Sequence, residues 1–311
     1  MPSFKGALAM SSVVSNFARS LSTLALAALA SHVFAAEPPA SSAGRLQAID
    51  FSAAAPLDEP YRLEFVACDG GAAGQGAKDH FLDFNLKLPN TPDNRQYYLC
   101  SRDPSNVKAL LRLKDGAIYW RSKMALDVDG SWAAWNGLPG ATDLKETAYK
   151  WPGSPNSSAR SAQVDPDRIP YIVMPTAGLS RITGNRSAEM GRLFAEKTGL
   201  RLGDMGVVVY KDRWTPILIG DGGPFMRLGE GSSRVFEAIG ESRCKKWSDD
   251  GKTCVGPGNV YPYRNFGLSG DVIFIAYPGS RSASITPANA VATLCTFAKQ
   301  KLGLTGGEMC P

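Results

Sequence analysis

The sequence predicts a mixed, β-rich α+β fold: a barrel-like β core with a few packed helices. Three observations carry this expectation. Short apolar runs rich in Val, Ile, Tyr and Trp recur along the chain, separated by Asp-Gly, Gly and Pro turns. Only two or three stretches have helical periodicity. These do not alternate strictly with the strands, which argues against a doubly wound parallel sheet. The 311 residues, 44% hydrophobic and 20% charged, suffice for one large core. One domain over residues 61–311 is expected, after a leader at 1–35 and an Ala/Pro/Ser-rich segment at 36–60.

Residues 1–35 read as a signal peptide. Lys5 and Arg19 precede an apolar run from Leu21 to Ala30, and no acidic residue comes before Glu37. Val33-Phe34-Ala35 supplies a small residue at the cleavage position. Cleavage is expected after Ala35, with Ala36 as the neighbouring position. The competing reading, an uncleaved anchor, is disfavoured because the apolar run is short for a span. The mature chain is therefore expected to be secreted or periplasmic, with no stable membrane insertion. Losing Lys5 and Arg19 lowers the formal charge from +5 to about +3. With no dense Lys/Arg run, nucleic acid is not an expected partner.

Six cysteines remain beyond the leader: Cys68, Cys100, Cys244, Cys254, Cys295 and Cys310. An even count in an exported chain favours disulfides over metal. Short loops pair Cys244 with Cys254 and Cys295 with Cys310, leaving Cys68 for Cys100. No pair has C-x-x-C spacing. His32 lies in the leader, so the mature chain carries only His80, read as a surface or structural residue. A multi-histidine zinc site is excluded, no metal or cofactor is expected, and any chemistry falls to carboxylates.

Taken in order, Arg62 to Ala67 reads as a strand. Residues 70–76 form a glycine-rich loop without the lysine-serine ending of a phosphate cradle, and residues 81–89 alternate as a second strand. Leu110–Leu113 and Ala117–Trp120 flank Asp115-Gly116 as a hairpin. The strand is expected to continue through Ser122-Lys123-Met124-Ala125-Leu126 to Asp127 and Asp129, which would then share one face. Two carboxylates on one face need a cation, a shared proton or nearby donors. An exposed Asp-rich loop and a calcium site are the competing readings, and no acidic residue follows at calcium-loop spacing. Residues 136–168 are a long irregular region, functional or merely mobile. Trp132, Trp135, Tyr149 and Trp151 lie in or beside it and suit either sugar stacking or a core.

Ile169–Pro175 reads as a buried strand. Ser187–Leu200 reads as an amphipathic helix capped by Ser187, with Met190, Leu193 and Phe194 on one face. Val207–Tyr210 and Trp214–Ile219 form a hairpin about Lys211-Asp212-Arg213. The second strand runs into Gly220-Asp221-Gly222-Gly223-Pro224, which holds a carboxylate at a strand end. Glu230 follows between Gly229 and Gly231. Ser232 or Ser233 then caps a short helix through Ile239 that stops at Gly240. Both acids also have a bland reading, as a turn former and a helix-start residue. Asp271–Tyr277 is a further strand. Thr286 and Pro287 open a last helix with Val291, Leu294, Cys295 and Ala298 inward, ending at Gly303.

From about Leu110 to Gly279 the order and spacing of these motifs resemble glycoside hydrolase family 75, the fungal-type chitosanases. Gly220-Asp221 followed by Gly229-Glu230 and serines is the most specific part, and Met124-x-x-Asp127-x-Asp129-Gly130 the second. The resemblance implies a six-stranded double-psi barrel and an exported, metal-free endo-hydrolase. Its substrate would be a β-1,4-linked glucosamine polymer, cleaved with inversion. Asp221 and Glu230 would be the acid/base pair, with Asp127 and Asp129 in the substrate cleft, in a monomer whose partner is chitosan or a related aminosugar polymer. The chain departs from the family in residues 136–168, in the cysteine-bounded excursion and in the Gly-Gly-Pro after Asp221. Besides a more distant one, a calcium-stabilised structural domain, two alternatives remain. One is a hydrolase or lyase of another aminosugar polymer such as peptidoglycan glycan. The other is a non-catalytic polysaccharide-binding barrel.

Overall fold

A computed structural model describes residues 49–57, 109–177, 185–224, 228–303 and 309–310. The leader, His80, Cys68, Cys100 and the strands expected before residue 100 lie outside these residues. The described strands are β1 (Ala55–Pro56), β2 (Ala109–Arg112), β3 (Ile118–Leu126), β4 (Tyr171–Ala177), β5 (Met205–Tyr210), β6 (Arg213–Pro224), β7 (Glu230–Gly231) and β8 (Leu268–Tyr277). They form one sheet ordered β1-β2-β3-β7-β4-β6-β5-β8, and an added β3–β8 pairing closes six strands into a barrel. The sheet is mixed: β3–β7 and β4–β6 are parallel, and the other pairings are antiparallel. The barrel-like β core with few helices is thus present, with β1 and β2 appended to the ring.

Local chemistry explains both hairpins. At β2–β3 the Leu113 N–H bonds to the Ala117 carbonyl, Gly116 takes φ 87°, and the Asp115 carboxylate accepts from the Ala117 N–H. At β5–β6 Tyr210 pairs with Arg213, leaving Lys211-Asp212 as a two-residue turn with Lys211 at φ 54°. That positive φ at the first turn position suits the twist of a tight hairpin.

Side chains of successive strand residues enter two apolar clusters. One gathers Trp120, Ile172, Val208, Ile217, Ile219 and Phe274, and the other Tyr119, Tyr171, Val207, Val209, Leu218 and Ile275. Burial on both faces explains why the runs are near-continuous apolar stretches rather than clean alternations. Trp120 and Phe274 are cross-strand partners on β3 and β8, with rings stacked at 5.0 Å across the closing seam.

The helices are α1 (Trp132–Trp135), α2 (Asn185–Thr198), α3 (Ser233–Ala238) and α4 (Ala290–Leu302). Three expectations change in detail. Helix α2 begins two residues before Ser187, which lies inside it, and ends before Gly199 at φ 77°. Thr286 does not cap α4. It exchanges hydrogen bonds with Asn289 in a turn before the helix. The inward face of α4 is centred on Ala290, Leu294, Phe297 and Ala298, with Val291 and Cys295 partly buried at its margin.

Among the described residues two disulfides are present, Cys244–Cys254 and Cys295–Cys310. The second ties the C-terminal end to α4. The first closes a loop anchored by Asp167, whose fully buried carboxylate accepts from Ser233 Oγ (2.6 Å), Cys254 N (2.8 Å) and Tyr263 OH (3.0 Å). No described helix is long and apolar enough to cross a membrane.

Two predictions follow from this anchoring. In the unfolded, unreduced protein Cys244, Cys254, Cys295 and Cys310 should resist alkylation, and reduction should cost about 2–5 kcal/mol per bridge. Peptide mapping that finds any of the four alkylated would contradict the pairing. Separately, burial first, then repulsion from Asp165, raises the Asp167 pKa to about 6. The folded value lies above the unfolded one, so this group favours folding at low pH and costs stability as pH rises through the folded value. Asp167→Asn is neutral throughout. The stability advantage of wild type over this variant should therefore shrink by up to about 3 kcal/mol between roughly pH 4 and pH 8. Urea melts showing a pH-independent difference would refute it.

Candidate functional site

The carboxylates gather beyond the end of β3, on the last part of β6 and at the start of β7. β3 stops at Leu126, so Asp127 and Asp129 lie in the turn beyond it rather than on a shared strand face. The turn serves instead of the pleat: the Asp127 carboxylate accepts from the Asp129 N–H at 3.0 Å. Asp221 sits within β6, opposite Val173 at a register shift, rather than at the strand's end. One carboxylate oxygen each of Asp127, Asp129 and Asp221 lies within 4.8 Å of the other two.

The long irregular region after Gly130 supplies donors to this cluster. Ser131 caps α1 by accepting from Ala134 N at 3.1 Å. Leu144 N then donates to Asp129 Oδ1 (2.6 Å), and Ala148 N to Asp221 Oδ1 (2.7 Å). Tyr149 N continues onto the Gly220 carbonyl, fixing the segment along β6. Farther on, Thr147 N bonds to Gln163 Oε1 and Val164 N to Thr147 Oγ1. Residues 136–168 are therefore an ordered strap across the site. Trp151 and Tyr149 are core residues of it, meeting edge to face at 5.7 Å.

Glu230, 7% exposed, is not one of the three acids whose oxygens meet within 4.8 Å. β7 pairs it with Ala125 in parallel, through Ala125 N to the Gly229 carbonyl and Asp127 N to the Gly231 carbonyl. Its Oε2 lies 3.3 Å from where a Cβ on Gly223 would sit. The Glu230 carboxylate thus reaches β6 two residues past Asp221, while the Asp127–Asp129 turn meets Asp221 itself. All four acids singled out from sequence converge on this end of β6.

Burial leads the electrostatics of the cluster. Desolvation is the leading cause raising the Asp129 and Asp221 pKa values, with Asp129 shifted further. The Asp127 charge is the next cause at both. The Ala148 and Gly222 amides oppose the shift at Asp221. A proton kept on Asp129 lets it donate to Asp221. Tyr171, fully buried on β4, donates its hydroxyl to Asp127 Oδ1 at 2.7 Å, and burial raises its own pKa well above the ordinary phenol range. On the strap, burial raises Asp143, whose Oδ2 accepts from Tyr261 OH at 2.7 Å. Sequence reading missed Tyr171, Asp143 and Tyr261. The one available signal was a tyrosine inside a buried strand, since its hydroxyl needs a partner.

The two cavities described, of about 430 Å³ beside Trp151, Arg160 and Arg168 and about 330 Å³ beside Asp50 and Lys301, contain none of the four acids. The cluster matters for its chemistry rather than for concavity. No family model matches the chain, and no curated protein matches it.

Gly229 positions Glu230. It has φ 98°, and a Cβ there would collide with the Lys123 carbonyl and Ser122 Oγ. Gly116 shares a positive φ (87°) but has open space around it. Gly229→Ala should therefore cost about 1–3 kcal/mol and clearly more than Gly116→Ala in thermal melts. Equal costs would show that β7 does not depend on this close approach.

Proposed function

We propose that the chain is an exported glycoside hydrolase, resembling the family 75 chitosanases, that cleaves β-1,4 linkages in a cationic aminosugar polymer. The observation that carries this reading is the meeting of Asp127, Asp129 and Asp221 within 4.8 Å, with the buried Glu230 reaching the same strand from outside the cluster. Two disulfides and the leader-like N-terminus support export. The closed six-strand ring agrees with the barrel that the resemblance implies.

Glycoside hydrolysis needs one protonated carboxyl to assist the leaving oxygen and one ionised carboxylate to activate water or attack. Crowded, buried carboxyls keep a proton near neutral pH, because neighbouring negative charges disfavour ionisation. Asp221 sits in such a setting, and Glu230 would be its partner. An inverting reaction requires room for a water between the two groups, roughly 6.5–9.5 Å. Asp127 and Asp129 would hold the ammonium group of a glucosamine unit, an attraction local to the cleft because the chain as a whole is mildly basic. The Asp143–Tyr261 pair, with Asp143 on a segment that departs from the family pattern, would border the bound sugar.

The test is a product assay with the mature protein on a chitosan oligomer and, in parallel, on peptidoglycan glycan. Reducing ends from chitosan support the reading; release from peptidoglycan alone moves the substrate; binding without product favours a non-catalytic barrel. Given activity, Asp221→Asn and Glu230→Gln should each lower kcat by about 10²–10⁴-fold with the circular dichroism unchanged. Asp127→Asn should act mainly on KM. Near-full activity in both Asp221→Asn and Glu230→Gln would overturn the pair.

A further inference from the structure

We propose that Asp127, Asp129 and Asp221 form a binding site for a single hard divalent cation, of the calcium or manganese class. The motif-level objection to a calcium loop is that no acidic residue follows Asp129 at the expected spacing. The structure supplies the third carboxylate from β6 instead, far along the chain, where no contiguous pattern would show it.

Two independent features point to a ligand. The first is geometric. One oxygen from each residue lies within 4.8 Å of the others. Oxygens bound to one calcium at 2.3–2.6 Å can stand at most about 5 Å apart. The triad's separations are therefore compatible with a shared ion. The second is an unmet valence. Fixed donors at the cluster include Tyr171 OH and Asp129 N on Asp127 Oδ1, Leu144 N on Asp129 Oδ1, and Ala148 N and Gly222 N on Asp221 Oδ1. Asp221 is 3% exposed, and its buried Oδ2 meets no backbone, hydroxyl or amine donor, so only a proton shared with Asp129 or a cation can satisfy it. A buried carboxylate oxygen without a donor is costly unless a cation or proton meets it.

An all-oxygen, carboxylate-rich set selects hard ions over zinc or copper. Three carboxylates give an incomplete shell, leaving positions for water or for a ligand hydroxyl. An ion here and the ammonium group of a sugar would compete for the same oxygens. The site itself does not depend on the hydrolase reading, because the test below reads binding alone.

The test uses the mature full-length protein, freed of metal, with Mn²⁺ as probe and its free-ion paramagnetic resonance signal as readout. Wild type should remove about one equivalent of Mn²⁺ with a dissociation constant of about 10⁻³ M or below, and Ca²⁺ should release it. Asp129→Asn and Asp221→Asn should each weaken uptake at least tenfold. No uptake by wild type would overturn the site, whatever the variants do. Uptake unchanged in both folded variants would place the ion elsewhere and overturn it equally.

Discussion

The barrel depends on a pairing only two residues long. β7 joins β3 through Ala125 N to the Gly229 carbonyl and Asp127 N to the Gly231 carbonyl, and joins β4 through the Ile172–Gly231 pairing. Without these contacts the ring is open between β3 and β4. Ser232 reinforces the seam. Its N–H donates to the Tyr171 carbonyl, and its hydroxyl donates to the Ile169 carbonyl. The same hydroxyl oxygen accepts from Tyr171 N and caps α3 at Val235 N. One serine thus finishes a strand, starts a helix and ties both to β4. The glycines on either side of Glu230 allow the approach: Gly229 lies against the Lys123 carbonyl, and Gly231 against Met124.

The same seam concentrates charge. The Asp127 N–H is used in closing the ring, so its carboxylate is held at the barrel's end whatever its electrostatic cost. β6 brings Asp221 to that point between two glycines that let Tyr171 and Thr176 pack close. Buried carboxylates this near one another oppose folding unless protons, donors or a cation offset them. The protein supplies main-chain amides to Asp129 and Asp221 and a phenol to Asp127. It supplies no side-chain cation among the named causes acting on Asp129 or Asp221. An incompletely offset cluster is a common mark of a functional site, because selection for stability alone would remove it.

What the sequence made legible was local. The Asp115-Gly116 and Lys211-Asp212 turns carry their own backbone chemistry, so both hairpins were readable, although Arg213, read as part of the second turn, is already in β6 and pairs with Tyr210. The glycines around Asp221 and Glu230 read as tight turns, but Gly220 and Gly222 lie within β6, where they allow close approach by Tyr171 and Thr176. The illegible parts were non-local or too short. A two-residue strand has no period, so β7 gave no strand signal and the ring closure none either. The joining of Asp127 and Asp129 to Asp221 follows from that closure and from the strap, neither of which any spacing encodes. Asp127 and Asp129 were placed on one strand face, but β3 ends before them and an Asp–amide turn does the pleat's work. Ser187 and Thr286 looked like caps by residue type, yet a side chain that can cap a helix can equally sit inside its first turn or bond to a nearby turn.

The strap over the site shows why irregular segments are hard to judge by composition. Residues 136–168 are rich in Pro, Gly, Ser and Asn, a composition shared by mobile linkers. Here Gln163 alone bonds to Thr147 N, Lys150 Nζ and the Ser157 and Ala159 carbonyls, replacing a sheet ladder with one amide. Gly130 lets the chain pass against the Val164 carbonyl at the strap's far end. The amides this arrangement frees, on Leu144 and Ala148, are the ones spent on the carboxylate cluster. Order in the strap and charge in the cluster are therefore linked: the donors reach Asp129 and Asp221 only while the strap is folded. A segment that reads as structureless in sequence in this way supplies two of the backbone amides, on Leu144 and Ala148, that face the carboxylate cluster.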